Sequence, residues 1–103
     1  MIIKRYALAF FAVLALGLGS SAVAKVDGDT IVLGSSISLT GKYATNGLHT
    51  QRGYDYAVKI INAAGGVKVG GKNYKLSVKY YDDESTPARG AQLAERLIQQ
   101  DGV

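Results

Sequence analysis

The chain has 103 residues, with 12 basic and 8 acidic side chains, a net charge of +4, one Pro and no Cys. Without cysteine, the fold cannot depend on disulfide bonds. The charges are scattered and form no blocks of one sign, so the composition does not favour a protein that binds nucleic acid or an anionic membrane surface.

The first 24 residues have the pattern of a secretory signal peptide. A basic pair, Lys4-Arg5, precedes an apolar core, Tyr6–Leu18, and Ala22-Val23-Ala24 supplies small residues for a signal peptidase. A membrane anchor is the alternative, but the core has 13 residues, whereas a spanning helix needs roughly 20. We expect export to the periplasm and cleavage after Ala24, which leaves residues 25–103 with a net charge of +2. No Cys follows this site, so the sequence excludes a lipid-anchored lipoprotein.

The first strand is predicted over Thr30–Ile37, after a polar lead-in. Ile31, Val32 and Leu33 are consecutive apolar residues, as in a strand covered on both faces. A loop rich in hydroxyl groups and glycine follows, Ser38–Gly47. This strand is expected to end where the loop begins.

A helix is predicted from about Ala44 or Gly47 to Ala64. Its apolar residues recur at i, i+3, i+4 and i+7, which indicates one buried face: Tyr54, Ala57, Val58 and Ile61. Thr45 or Asn46 is expected to cap its start, and Gly65 its end.

A hairpin and a second strand are predicted next. Val69-Gly70-Gly71-Lys72 is typical of a two-residue hairpin turn. Tyr74–Tyr81 alternates between two faces, which indicates a strand. One face carries Tyr74, Leu76, Val78 and Tyr80, and the other carries Lys75, Ser77, Lys79 and Tyr81.

The second helix is predicted over Pro87–Gln100. Pro87 is expected in its first turn, where Pro is favoured, and Thr86, the residue before it, is the expected cap. Gly102 is expected to stop it. The residues expected on its buried side are Leu93 and Leu97, together with Ala91, Ala94 and Ile98.

Strands that alternate with helices predict an α/β fold with a parallel, doubly wound sheet. Ligands of such sheets bind beyond the carboxyl ends of the strands, beside helix N-termini. Ser38–Gly47 and the segment Asp82–Thr86 are both expected at that edge. The first of these loops would offer hydroxyl groups, backbone N–H groups and a helix N-terminus to a small polar or anionic molecule.

The motifs of enzymes and of nucleotide binding fail on inspection. Gly66 and Gly71-Lys72 have P-loop spacing, but Asn73 replaces the required Ser or Thr, and a helix precedes the segment where a strand should. Gly34-Ser35-Ser36 lacks the second glycine of a nucleophile elbow. His49 is the only histidine and is interpreted as a solvated helix residue. No enzymatic activity and no cofactor are predicted.

The acidic run Asp82-Asp83-Glu84 leaves two alternatives. It could hold a metal ion, but no second cluster of ligands accompanies it. Acidic side chains are also favourable just before a helix N-terminus. We prefer a structural role for the run, as a cap and a network of loop contacts, and predict no metal site.

The combination of these segments resembles the N-terminal part of the periplasmic substrate-binding proteins of branched-chain amino acid ABC transporters. The resemblance covers 29–103, and it depends on Ser38-Leu39-Thr40-Gly41, on the turn that follows Ile61-Asn62, and on Tyr81-Asp82-Asp83-Glu84-Ser85-Thr86-Pro87. It implies a type I periplasmic-binding fold with two α/β lobes and a hinge. Ligand is held between the lobes, and closure presents the protein to a membrane permease.

Family members are several times longer, so residues 25–103 are interpreted as the first β-α-β-α of lobe one, an incomplete lobe with further binding residues beyond Val103. By position, the resemblance implies that the loop before the first helix touches the ligand side chain through Tyr43, Asn46, Thr40 and Thr45. Some relatives carry a large aromatic residue at the position of Asn46, so a more polar or differently shaped pocket is expected. Relatives also bind amides, urea and aromatic acids. A sensory module with the same fold remains the alternative function.

Overall fold

The computed structural model describes residues 23–103. The predicted signal peptide lies almost wholly in residues 1–22, outside the described residues. The elements of the described part are β1 (Val26–Asp27), β2 (Thr30–Ile37), α1 (Ala44–Ala63), β3 (Val67–Val69), β4 (Lys72–Asp82) and α2 (Pro87–Gln99). Neither α1 nor α2 has the length and apolar character that crossing a membrane requires.

The four strands of residues 23–103 form one sheet in the order β1-β2-β4-β3. The central pair, β2 and β4, is parallel from Thr30 opposite Lys75 to Ile37 opposite Asp82. Helix α1 and the β3–β4 hairpin lie between them in the chain. This arrangement confirms the predicted parallel neighbours.

The hairpin turn is also where the sequence predicts it. Val69 pairs with Lys72, and the two residues between them, Gly70 and Gly71, have φ values of +56° and +81°. Two consecutive residues with positive φ are what a type I′ turn requires, and glycine adopts them without a steric penalty.

The polar lead-in before β2 contains a short strand that was not predicted from the sequence. Val26 and Asp27 form the short antiparallel strand β1 opposite Ile31 and Thr30. The amide of Val32 also donates to the carbonyl of Lys25 at 2.9 Å. Two residues are too few to show a period-two pattern, so the sequence carried no signal for this strand.

The helices pack on opposite faces of the sheet. Leu76 and Val78 of β4 share an apolar cavity with the predicted buried face of α1: Tyr54, Ala57, Val58 and Ile61. The prediction is wrong for Tyr54, which is 47% exposed, and for Ala57, which is also exposed. On the other face, Leu93 and Leu97 of α2 are buried, with 9% and 4% of their surface exposed, and they form the core of the described residues.

The predicted buried side of α2 is too wide. Ala91 and Ala94 are exposed, and Ile98 is 64% exposed. Helix α2 packs mainly on β2, and Leu97 approaches that strand at Gly34. The apolar stripe of α2 is therefore wider than the part of the sheet that lies beneath it in residues 23–103.

An ion pair holds the segment that follows α2 against β4. The ammonium of Lys79 lies 2.9 Å from a carboxylate oxygen of Asp101, and the hydroxyl of Tyr81 donates to the other oxygen at 2.7 Å. These contacts raise the pKa of Lys79 and lower the pKa of Asp101. Lys79 and Tyr81 thus lie on one face of β4, as its alternation predicts, and that face meets α2 and the residues after it.

Asn62 of α1 completes the hydrogen bonding of β4 where β3 ends. Strand β3 pairs with β4 only as far as Tyr74. Beyond that residue, the amide of Asn62 donates to the carbonyl of Leu76 and accepts from the N–H of Leu76, both at 2.8 Å. One side chain therefore satisfies both main-chain groups of Leu76, as a neighbouring strand would.

Candidate ligand-binding site

Two loops leave the carboxyl edge of the sheet side by side. We call residues 38–43 the first loop and residues 83–86 the second loop. They follow β2 and β4, whose last residues, Ile37 and Asp82, are directly paired. The amide of Asp83 donates to the carbonyl of Ile37 at 3.0 Å, which extends the pairing into the loops.

Asp82 is the main acceptor between the loops. Its carboxylate accepts from the N–H groups of Leu39 at 2.9 Å and Thr40 at 3.2 Å, and from the Thr40 hydroxyl at 2.7 Å. It also accepts from the N–H of Glu84 at 2.8 Å. The Thr40 hydroxyl is the chief cause that lowers the pKa of Asp82 to about 2. Hydrogen bonds to a carboxylate favour its charged form.

Asp83 and Ser85 add a second set of contacts. The Ser38 hydroxyl donates to Asp83 at 2.6 Å, and the Ser85 amide donates to the same oxygen at 2.8 Å. The Ser85 hydroxyl donates to the carbonyl of Thr40 at 2.7 Å and accepts from the N–H of Tyr43 at 3.0 Å. The acidic run was interpreted as a cap and a network of loop contacts: the network is confirmed, but the cap is wrong, since in the described part of the chain α2 has no side-chain cap hydrogen bond at Thr86. No cluster of three or more potential metal-binding side chains occurs within residues 23–103.

The contribution of this network to stability at low pH is testable, because the pKa of Asp82 lies below its usual value of 3.8, at about 2. A lowered pKa contributes stability that is present above pH 3.8 and is lost as pH falls through 2. We expect Asp82→Asn to remove this part of the pH dependence. The measurement is the melting temperature of both proteins between pH 5 and pH 2.

Glu84→Gln is the matched control, since Glu84 is a nearby exposed carboxylate whose ion-pair partner among residues 23–103 is Arg89, at 2.9 Å. The control should retain the fall in melting temperature that the unsubstituted protein shows. An equally steep fall in Asp82→Asn would contradict the role assigned to Asp82.

The four predicted ligand residues lie at the first loop and the start of α1. Thr40 is exposed in the loop, and Tyr43 is 47% exposed at the N-cap, with the Lys42 ammonium 4.7 Å from its ring centre. Thr45 and Asn46 are exposed in the first turn of α1. The structure thus brings all four to one end of one helix.

The predicted helix cap is wrong. Helix α1 begins at Ala44, so Thr45 and Asn46 are helical residues, and no side chain within residues 23–103 caps the helix start. The reason is a tight turn, in which the Ala44 amide donates to the carbonyl of Gly41 at 3.1 Å and leads the chain directly into the helix. The amides of the first helical turn therefore lack a side-chain partner of the kind that a cap supplies.

Gly47 brings the first loop against the helix. It is the buried residue of α1, and a Cβ at this position would overlap the carbonyl oxygen of Ser38. Only glycine permits so close an approach of two backbones. The sequence indicated a loop followed by a helix, but it gave no signal that this glycine is the contact between them.

A sheet edge with two loops of this kind occurs in a known family of proteins. Residues 30–103 match the family model described as periplasmic binding protein, and the chain belongs to that family. It is 33% identical over 83 residues to the Leu/Ile/Val-binding protein homolog 3 of Brucella melitensis, an alignment that covers 81% of this chain and 20% of the relative. It is 34% identical over 73 residues to homolog 1 of Brucella abortus, covering 71% and 18%.

Solved structures agree with the family assignment. The chain is similar to the branched-chain amino acid transporter substrate-binding protein LivJ of Streptococcus pneumoniae, solved in complex with isoleucine, with a TM-score of 0.63, 35% identity, and coverage of 72% of this chain and 20% of LivJ. A putative branched-chain amino acid ABC transporter protein from Silicibacter pomeroyi gives a TM-score of 0.61 at 35% identity, covering 71% and 18%. The chain spans about a fifth of the length of these relatives. The predicted family resemblance and the type I periplasmic-binding fold are confirmed.

Proposed function

We propose that the whole protein is the extracytoplasmic solute-binding component of an ABC transporter. It captures a branched-chain amino acid or a related small amide or carboxylate, and delivers it to the membrane permease. The observation that carries this proposal is the 35% identity and the shared fold with LivJ, which was solved with isoleucine bound. The periplasm, reached through a cleaved signal peptide, is the proposed location, and binding without catalysis is the proposed activity.

We further propose that Thr40, Tyr43, Thr45 and Asn46 contact the ligand. Their exposure and their common position at the start of α1 support this assignment. A helix N-terminus without a side-chain cap offers N–H groups and the positive end of the helix dipole, which favour a polar or anionic ligand.

The four side chains differ in what they can offer. The Thr40 hydroxyl donates its proton to Asp82, so it presents only its lone pairs and its methyl group to a ligand. Tyr43 presents an aromatic face beside the loop. Asn46 presents an amide that can donate and accept, which suits a polar group better than an alkyl chain.

Asn46→Ala should weaken ligand binding if the amide makes a buried hydrogen bond to the ligand. Loss of that bond leaves a partner unsatisfied and costs roughly 1–3 kcal/mol, which is about tenfold to more than a hundredfold in affinity. The measurement is calorimetric titration of the whole protein against branched-chain amino acids, amides and aromatic acids.

Lys68→Ala is the control, because Lys68 is exposed on the remote β3–β4 hairpin and should leave the affinity unchanged. If Asn46→Ala and the unsubstituted protein bind every ligand of the panel equally well, Asn46 has no role in the site.

Delivery is tested by measuring uptake of the ligand through the permease in the presence of ligand-loaded protein. Binding without stimulated uptake would favour a sensory module over a transport component.

A further inference from the structure

The second loop has a strained backbone at two consecutive residues. Glu84 and Ser85 have φ values of +54° and +62°, in the left-handed region that residues other than glycine seldom occupy. Such a conformation costs free energy and persists only where surrounding contacts hold it. Here the contacts are hydrogen bonds from the N–H of Glu84 to Asp82 and from the N–H of Ser85 to Asp83, both at 2.8 Å.

The strained conformation directs the Ser85 hydroxyl into the first loop. There it bridges the carbonyl of Thr40 and the N–H of Tyr43, at 2.7 and 3.0 Å. These two groups flank the turn that leads into α1, and Asp82 holds the same turn from the side of Leu39 and Thr40. The turn that presents Tyr43 is therefore held at both of its ends, by Ser85 of the second loop and by Asp82, the last residue of β4.

We infer that Ser85 and Asp82 are positioning residues, which fix the turn of the first loop and so set the place of Tyr43 and of the start of α1. The inference rests on the proposed function for its effect on binding. Neither side chain needs to touch the ligand. Each acts through Thr40 and Tyr43, whose main-chain groups it holds.

The energetic consequence follows from the populations of loop conformations. Without the Ser85 hydroxyl, the N–H of Tyr43 loses its partner in the second loop, and the turn samples other arrangements. The apparent dissociation constant equals the intrinsic one divided by the fraction of molecules in the competent arrangement. Loss of positioning therefore weakens binding although every ligand contact is still available.

Ser85→Ala in the whole protein is the test, with two measurements. Exchange of the Tyr43 amide hydrogen, followed by NMR, should accelerate at least about tenfold relative to the amide of Leu97 in α2, because only the local contact is lost. Affinity for leucine, isoleucine and valine should weaken about fivefold, the effect of one ordinary hydrogen bond. Asp82→Asn should change both quantities in the same direction.

Glu84→Ala is the matched control. It alters the neighbouring residue, which also has a positive φ, and removes only an exposed carboxylate paired with Arg89. Tyr43 exchange and ligand affinity should both stay within about twofold of the unsubstituted protein, since single surface changes have small effects.

The outcomes separate this inference from the proposed function. If Ser85→Ala leaves Tyr43 exchange unchanged, or accelerates Tyr43 and Leu97 equally, Ser85 has no positioning role and the inference is overturned. If the unsubstituted protein binds no ligand of the panel, the proposed function fails, and the selective change in Tyr43 exchange still decides the inference. If Ser85→Ala accelerates exchange of the Tyr43 amide selectively but leaves the affinity for the ligands unchanged, the inferred effect of positioning on binding is overturned.

Discussion

Gly47→Ala should destabilise the protein by about 3 kcal/mol or more, at the upper end of the usual cost of overpacking. The new Cβ would overlap the carbonyl oxygen of Ser38, which is main chain and cannot rotate away. Either α1 or the end of β2 must shift, and a shift at this contact also moves the first loop. Chemical denaturation of the purified protein, followed by circular dichroism, gives the change in free energy of unfolding.

Gly53→Ala is the control for this prediction, because it makes the same chemical change in the same helix. A Cβ at Gly53 meets no atom within 4 Å. Here alanine should stabilise the protein by about 0.5–1 kcal/mol, since glycine weakens a helix interior. Opposite signs at the two positions are expected. A destabilisation at Gly47 of less than about 1 kcal/mol would mean that the close contact with Ser38 is easily relieved.

Asn62→Leu should cost about 2–4 kcal/mol, because it leaves the N–H and the carbonyl of Leu76 without their partner. Both bonds are 2.8 Å long and partly buried, so water replaces them poorly. Leucine keeps a similar size and favours the helix slightly more than asparagine. The loss is therefore attributable to the two hydrogen bonds, and the same denaturation experiment measures it.

Asn73→Leu serves as the comparison for Asn62, since Asn73 is exposed on the hairpin. It should change the free energy of unfolding by no more than about 0.5 kcal/mol, as is usual for surface positions. Faster amide exchange at Leu76 should accompany the loss of stability in Asn62→Leu. Normal protection of that amide would show that another group had taken the place of the asparagine side chain.

The main elements were predictable because each carries a local periodic pattern. The strand Thr30–Ile37 has the predicted bounds, and the second strand differs by two residues at its start and one at its end. The predicted helices also end within a residue of their observed ends. The two consecutive glycines, Gly70 and Gly71, predicted the position of the hairpin turn. Patterns of this kind depend on neighbours in sequence, which a single chain displays.

The contacts of the candidate site were less predictable, because they join distant parts of the chain. The edge of the sheet that carries both loops follows from the order of elements. The pairing of Ser85 with Tyr43 and the close contact of Gly47 with Ser38 have no local signature. Asn62 likewise looked like an ordinary helical residue in the sequence, because its partner, Leu76, lies in another element.

The wrong predictions have physical causes of the same kind. A capping residue was expected where Thr45 and Asn46 follow a loop, but the turn from Gly41 starts the helix earlier. Ile98 was expected to be buried because it is apolar and lies near the stripe of α2, but burial also depends on the extent of the sheet beneath it. The spacing of apolar residues alone shows which side of a helix is buried, but it does not show how wide the buried face is.

The side-chain hydrogen bonds that join the first loop to Asp82 and the second loop also favour an order of assembly. Each joins residues that are 42 to 45 positions apart in the chain. Helix α1 and the hairpin form between residues that are close in sequence. The bonds between the loops require β4 to lie beside β2 first, and that pairing costs the conformational entropy of closing the chain between the two strands. We therefore expect the contacts between these loops to form only after β2 and β4 have paired.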